Sequence, residues 1–242
     1  MIDFHSHLDL YPNGLELARE ANERNEFTLA VTTSPRAYYA TSRVFSGLRN
    51  IHVALGLHPE VADLKAGELD ALVGGVASAR FIGEVGLDGS YRFRETFALQ
   101  ERIFRSVLDE CSKQGGRILS IHSRRAASRV LELLAEIKLS GIPVLHWFSG
   151  SEVELQAACK LGCWFSVGPS MLAGTKGRNH ISQMPMDRVL PETDGPFAMT
   201  GGVPLKPWDA WGICSVLSDI WGQPPDIVEE QMRRNLRQLL DT

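Results

Sequence analysis

The sequence predicts an α/β protein of the (β/α)8 TIM-type barrel class, and three observations carry that prediction. Short β-branched runs recur about eight times, the strand number of such a barrel. Most are separated by longer segments with helical spacing, the alternation that gives a parallel sheet with helices outside it. Side chains able to hold a metal ion stand at the ends of these runs, namely His5, His7, Glu84, His122, His146 and Asp194. Groups at strand ends far apart in sequence can converge only if the strands run parallel.

The runs are Ile2 to His7, Thr28 to Ser34, Ile51 to Leu57, Arg80 to Val85, Arg117 to Ser123, Ile142 to Phe148, Cys163 to Val167 and Arg188 to Thr193. Between them, Phe93, Phe97, Phe104, Val107 and Cys111 share one face of a predicted helix over 93–111. Val130, Leu134 and Ile137 form a second stripe. A final helix over 226–240 carries Val228, Met232, Leu236 and Leu239 on one face, with Asp226 as a candidate N-cap. The segments 170–179 and 197–207, rich in Gly and Pro, read as irregular loops on the rim where barrel enzymes place substrate loops. No linker or compositional break interrupts the chain, so one domain over 1–242 is expected.

A chain of 242 residues with 44% hydrophobic content can bury a full core. Its net charge of -4 argues against a protein that coats duplex nucleic acid, and says little about an enzyme that takes a strand end. Cys111, Cys159, Cys163 and Cys214 have neither zinc-ribbon nor disulfide spacing and read as small buried residues in a reducing compartment. With no cleavable leader and no run long enough to span a membrane, a soluble cytoplasmic protein is expected.

In His5-Ser6-His7, the strand period puts both imidazoles on one face, able to reach one ion, although two surface histidines would also give this pattern. Asp3 shares that face and is expected to orient a histidine. Glu84, among apolar residues and glycines, is costly to bury unpaired; a pair of cations would offset the cost and an arginine would be the structural alternative. Asp194 can ligate one metal and take a proton from the attacking water, with Glu192 as its rival. Asp88 reads as a loop anchor, and His58 before Pro59 as a substrate contact. Arg124 is either a bidentate phosphate clamp or a surface charge at a helix start. Trp208 beside Lys206 pairs a ring for stacking with a cation for phosphate. His52 and His180 read as structural or exposed. Histidine-rich donor sets favour Zn²⁺, Co²⁺ or Mn²⁺, while bridging carboxylates and phosphate substrates also suit Mg²⁺.

Taken together, Asp3-Phe-His5-Ser-His7, Gly56-Leu-His58-Pro, Gly83-Glu84-Val-Gly-Leu-Asp88, Ile121-His122-Ser-Arg124, Leu145-His146-Trp-Phe-Ser-Gly150, Glu192-Thr-Asp194-Gly-Pro196 and Asn235-Leu236 resemble the TatD family of metal-dependent deoxyribonucleases. The resemblance implies a barrel of the metal-dependent hydrolase superfamily, two divalent metal ions (Zn²⁺, Mn²⁺ or Mg²⁺) and phosphodiester hydrolysis, often of single-stranded DNA. By resemblance, His5, His7, Asp194 and Glu84 hold one metal, Glu84, His122 and His146 hold the other, and His58 and Arg124 lie near the substrate phosphate. The chain departs from the family at Arg125, where Asp is usual, at Trp147, where a small residue is usual, and across the Phe197 to Trp208 loop. That variant pattern is similar to the TatD-type nucleases (QatD) of Qat anti-phage defence systems. It implies partners in an ATPase, a second small protein and a QueC-like enzyme. Two other classes fit less of the chain. An amidohydrolase-like small-molecule enzyme often has a carboxylated lysine on the fourth strand, and 80–91 contains no lysine. A metal-stabilised subunit with little turnover would have no need to keep all six ligands.

Overall fold

The computed structural model describes residues 1–138 and 140–241. Its strands are β1 (Ile2–Ser6), β2 (Phe27–Val31), β3 (Ile51–Ala54), β4 (Phe81–Gly86), β5 (Ile118–His122), β6 (Ile142–His146), β7 (Trp164–Val167) and β8 (Val189–Pro191), with a short hairpin of β9 (Met199–Thr200) and β10 (Val203–Pro204). Helices alternate with β1 to β8, the element order of a TIM-type barrel. The chain forms two compact units. One comprises 1–30, 45–52 and the part from Trp164 onward; the other comprises 31–44 and 53–163.

In the first unit β1 pairs with β2 and β7 with β8, all parallel. Every residue of these strands is buried, as β-branched and aromatic runs covered on both faces should be. The C-terminal helix Pro225–Leu240 buries Val228, Met232, Leu236 and Leu239, the stripe expected from the sequence. Pro225 opens it at the position where a missing N–H costs nothing, so Asp226 lies in the first turn and is not the N-cap. Asn235, wholly buried, donates Nδ2 to the carbonyls of Met186 (2.7 Å) and Val189 (2.8 Å) and so pins this helix to the start of β8. The segment 170–179 is not irregular. It forms the helices Pro169–Leu172 and Thr175–Ile181, because Met171, Leu172 and Ile181 supply an apolar face that the Gly content obscured. His180 ends up buried on the second of these, and His52 stacks on Phe27 at 4.5 Å.

In the second unit β4, β5 and β6 form a parallel ladder, extended by a bridge from Leu55 to Ile82. The predicted 93–111 helix is a 3-10 turn over Tyr91–Thr96 followed by the helix Phe97–Gln114. Phe104, Val107 and Cys111 are buried on it, whereas Phe93 belongs to the turn. The helix Ala127–Ile137 has no capping side chain of its own. Glu154 supplies it from the next helix, Glu152–Lys160. Glu154 Oε1 accepts from the backbone N–H (2.9 Å) and hydroxyl (2.6 Å) of Ser128, and Oε2 from the N–H (2.6 Å) and hydroxyl (2.8 Å) of Ser151.

Among the described residues no helix is long and apolar enough to cross a membrane, and the four cysteines form no disulfide. Cys111, Cys163 and Cys214 are buried; Cys159 is only partly so. Burial pushes the thiols of Cys111 and Cys214 up to about 12.

Partial burial opposes ionisation of Glu154, but the Ser128 and Ser151 bonds outweigh it and hold its carboxyl down to about 2. A depressed folded pKa means the carboxylate stabilises the fold above its ordinary value of 4.5 and loses that contribution as pH falls towards 2. Glu154→Ala should therefore cost about 1 kcal/mol at neutral pH, the value of a helix cap, after allowing for solvent screening. In thermal melts the Tm should fall by roughly 2–4 °C at pH 7, with the gap to wild type closing as the pH drops from 4.5 towards 2.

Candidate metal centre

In the second unit, three imidazoles converge on one oxygen. His122 Nδ1 lies 2.7 Å from Glu84 Oε1, His146 Nε2 lies 3.0 Å from the same atom and His58 Nε2 lies 3.2 Å from it. Glu84 is 1% exposed, and His122 and His146 are the last residues of β5 and β6, as the sequence placed them. One carboxylate oxygen has two lone pairs and cannot accept three full hydrogen bonds, and a ring nitrogen presenting a lone pair to it would repel it. A cation among these atoms removes the conflict.

The tautomers can be read from the partners. His58 caps the short turn Pro59–Val61, its Nδ1 accepting the Glu60 N–H at 3.1 Å. Its Nε2 therefore carries the proton and donates to Glu84. Although the ligand atoms of His58, Glu84 and His122 lie within 4.8 Å of one another, His58 acts as a hydrogen-bond donor to the carboxylate. His122 Nε2 meets Asp88 Oδ2 at 2.9 Å, the carboxylate–histidine pairing that orients a metal-binding imidazole and leaves its other nitrogen for the ion.

Asp88 is the residue that sequence reasoning undervalued. Its Oδ1 accepts the Ser90 N–H (2.8 Å), the expected loop anchor, but its other oxygen fixes His122. Its own N–H donates to Gln100 Oε1 on the helix Phe97–Gln114. Burial raises the Asp88 pKa, but the bonds from His122 and Ser90 outweigh it and bring it down to about 2. For His122, burial works against the charged form, and Asp88 and Glu84 together hold its pKa above the ordinary value.

In the first unit, His5 Nε2 and His7 Nε2 each lie 3.6 Å from Asp194 Oδ1, their rings edge to face at 5.2 Å. Backbone bonds from Asp194 N–H to the His5 carbonyl and from His7 N–H to the Gly195 carbonyl, both 2.8 Å, fasten the end of β1 to the segment after β8. Asp194 takes φ 56, a left-handed conformation that Asp tolerates better than most residues, and this turns its carboxylate to the histidines. Asp3 has a different task from the one expected. Its carboxylate accepts the Thr193 N–H (2.9 Å), the Thr193 hydroxyl (2.6 Å) and the His5 N–H (3.2 Å), so it fixes backbone rather than an imidazole ring. Burial drives its pKa well up, against those bonds. Glu192, the rival of Asp194, is held by the Ser166 hydroxyl.

Nothing in the sequence singled out Tyr11, which donates its hydroxyl to the Leu205 carbonyl and anchors the loop from Phe197 to Trp208. That loop is the β9–β10 hairpin followed by a 3-10 turn over Pro207–Gly212. Trp208 is half-buried, with Arg24 over its ring at 4.3 Å and Lys206 Nζ at 5.4 Å. Arg124 and Arg125 are exposed just beyond His122, and the Arg124 carbonyl accepts the Gly89 N–H.

Buried imidazoles gathered on shared carboxylate oxygens at the ends of parallel strands make up the donor set of a metal-dependent hydrolase. The model of the TatD related DNase family matches residues 2–241, and the chain belongs to that family. It is 27% identical to the uncharacterized metal-dependent hydrolase YjjV of Escherichia coli strain K12, over 97% of this chain and 95% of that one. It is 32% identical to a protein of Edwardsiella piscicida named 3'-5' ssDNA/RNA exonuclease TatD, over 63% of this chain and 60% of that one. The crystal structure of E. coli YJJV, a TatD homolog, shares the fold with a TM-score of 0.89 at 24% identity, over 100% of this chain and 98% of that one.

Gly195 has no room for a side chain, because a Cβ there would lie 2.0 Å from the Tyr11 hydroxyl and 2.4 Å from the Leu205 carbonyl. Gly195→Ala should break that anchor and destabilise the protein by about 1–3 kcal/mol, read as a lowered midpoint in urea unfolding. A midpoint equal to wild type would show that the loop does not need the anchor.

Proposed function

We propose that this chain is a divalent-metal-dependent phosphodiesterase that removes nucleotides from the ends of single-stranded DNA. The observation that carries the proposal is the meeting of His58, His122 and His146 on one buried oxygen of Glu84. Membership of a family of DNases and the name of the E. piscicida relative support the substrate class.

In this reading the chain would bind two divalent ions, Zn²⁺, Mn²⁺ or Mg²⁺. As the family resemblance implies, His5, His7, Asp194 and Glu84 would hold one, and Glu84, His122 and His146 would hold the other. When bound, such ions polarise a phosphoryl oxygen and make water acidic enough to act as a nucleophile near neutral pH. The side chains do the rest. Asp88 keeps the His122 Nδ1 turned inward, His58 fixes the rotation of the Glu84 carboxylate, and Asp194 accepts the proton of the attacking water. Arg124 pairs with a phosphate, and Trp208 with Lys206 contributes a ring and a cation to the strand.

The likeness of His146 to Gly150 and of Val203 to Trp208 to the Qat-system nucleases supports a place in anti-phage defence, beside an ATPase and a QueC-like enzyme. Metal analysis of the purified protein, with cleavage assays on end-labelled single- and double-stranded DNA and RNA, tests the reading. Absence of cleavage with Zn²⁺, Mn²⁺ and Mg²⁺ would sink it.

Two variants sharpen the test. His122→Ala should lose bound metal by atomic emission while keeping the wild-type circular dichroism spectrum; full occupancy would remove His122 from the ligand set. Asp194→Asn keeps the shape and one acceptor oxygen but loses the base, so kcat should fall by 10²–10⁴-fold while KM changes little. Turnover at the wild-type rate would make Glu192 the candidate instead.

A further inference from the structure

The segment that follows Asp194 carries an exposed ring beside the histidines. Phe197 is 62% exposed, and its ring meets that of His7 at 5.0 Å with an interplanar angle of 83°. Met199 and Val203, on the two strands of the hairpin that follows, are 54% and 61% exposed. A single exposed apolar residue needs no explanation, but a group of them on one short segment beside an ionic site marks a binding surface.

The backbone beneath the ring is firmly held. The N–H groups of Phe197 and Ala198 both donate to the Asp194 carbonyl at 3.0 Å, and the Leu205 N–H donates to the Ala198 carbonyl at 3.0 Å. The Tyr11 hydroxyl closes the loop onto Leu205. A platform fixed in this way loses little conformational entropy when something settles on it. A benzyl ring has no hydrogen-bonding group, so it cannot take a phosphate or a sugar hydroxyl. It offers a π-face and hydrocarbon, the chemistry that receives a nucleobase.

We infer that Phe197, flanked by Met199 and Val203, is the stacking platform for the terminal base of a strand whose phosphate lies at His5, His7 and Asp194. The inference rests on the nuclease reading and adds to it a source of selectivity for unpaired ends. The last base of a single strand can turn freely onto the ring, whereas a base at a duplex end must first give up its pairing and stacking, which costs a few kcal/mol.

The test uses single-stranded oligonucleotides that end either in a normal nucleotide or in a tetrahydrofuran abasic residue, at each end in turn, with Mn²⁺-loaded protein. Wild type should cleave the base-bearing end with a kcat/KM about tenfold above that of the abasic end, the size of one stacked base. In Phe197→Ala the base-bearing end should fall to the abasic level, and Phe197→Trp should restore the preference. Binding gives a second readout. With an uncleavable phosphorothioate strand ending in 2-aminopurine, wild type should quench the fluorescence by stacking and Phe197→Ala should not. Equal cleavage of both ends by wild type, a preference retained in Phe197→Ala, or absence of quenching by wild type overturns the platform while leaving the nuclease reading intact. Cleavage of neither oligonucleotide overturns both.

Discussion

The second unit is organised around one buried carboxylate oxygen. Glu84 Oε1 lies inside a parallel ladder with three imidazole nitrogens within 3.2 Å. Burying a carboxylate costs several kcal/mol unless its charge is met, and removing one partner of a buried ionic group costs about 3–5 kcal/mol. The surroundings show the same constraint. Gly83 precedes Glu84 because a Cβ there would lie 2.9 Å from that of Ser120 on β5. The Glu84 N–H and the Thr32 N–H are spent on carbonyls, those of Thr32 and Gly83. Asp88 holds the His122 imidazole and the Pro59 turn holds that of His58, so these two rings arrive at Glu84 already oriented.

The first unit solves a similar problem at the end of β1. There the oxygen is Asp194 Oδ1, and the strain lies in the backbone, with Asp194 in the left-handed region and Gly195 packed against Tyr11 and Leu205. Buried polar anchors keep this geometry in place. Asp3 on Thr193 secures the end of β8, and Asn235 on Met186 and Val189 secures its start. Each anchor satisfies backbone groups that would otherwise be buried without partners. Trp147, at φ 37, lies in the same left-handed region immediately after His146 at the end of β6, and Arg125, at φ 52, lies there three residues after His122. Non-glycine residues in that region gather at functional sites, where tertiary contacts over-determine them.

Much of this was legible in the chain. Strands buried on both faces leave apolar runs, and a polar side chain that ends such a run stands out. That contrast made His122, His146, Glu84 and Asp194 readable one by one. The helices on 97–114 and 225–240 were readable from their apolar stripes, because period 3.6 survives in a sequence whatever the helix packs against. The helices Pro169–Leu172 and Thr175–Ile181 were not, being too short to show a period and carrying the Gly and Pro that ordinarily mark loops.

The sequence by itself determined the strand-helix alternation, the donor types and their places at strand ends, since these depend on local composition and on the period of each element. The tertiary structure alone decided which atoms meet. Asp88 as the partner of His122, the tautomer of His58, Asp3 bound to Thr193 rather than to a ring, and Tyr11 on Leu205 are pairings between residues from 2 to 194 positions apart. The physical reason is that a hydrogen bond is fixed by distances of a few tenths of an ångström and by direction. Those are properties of packed elements, and no stretch of sequence carries them.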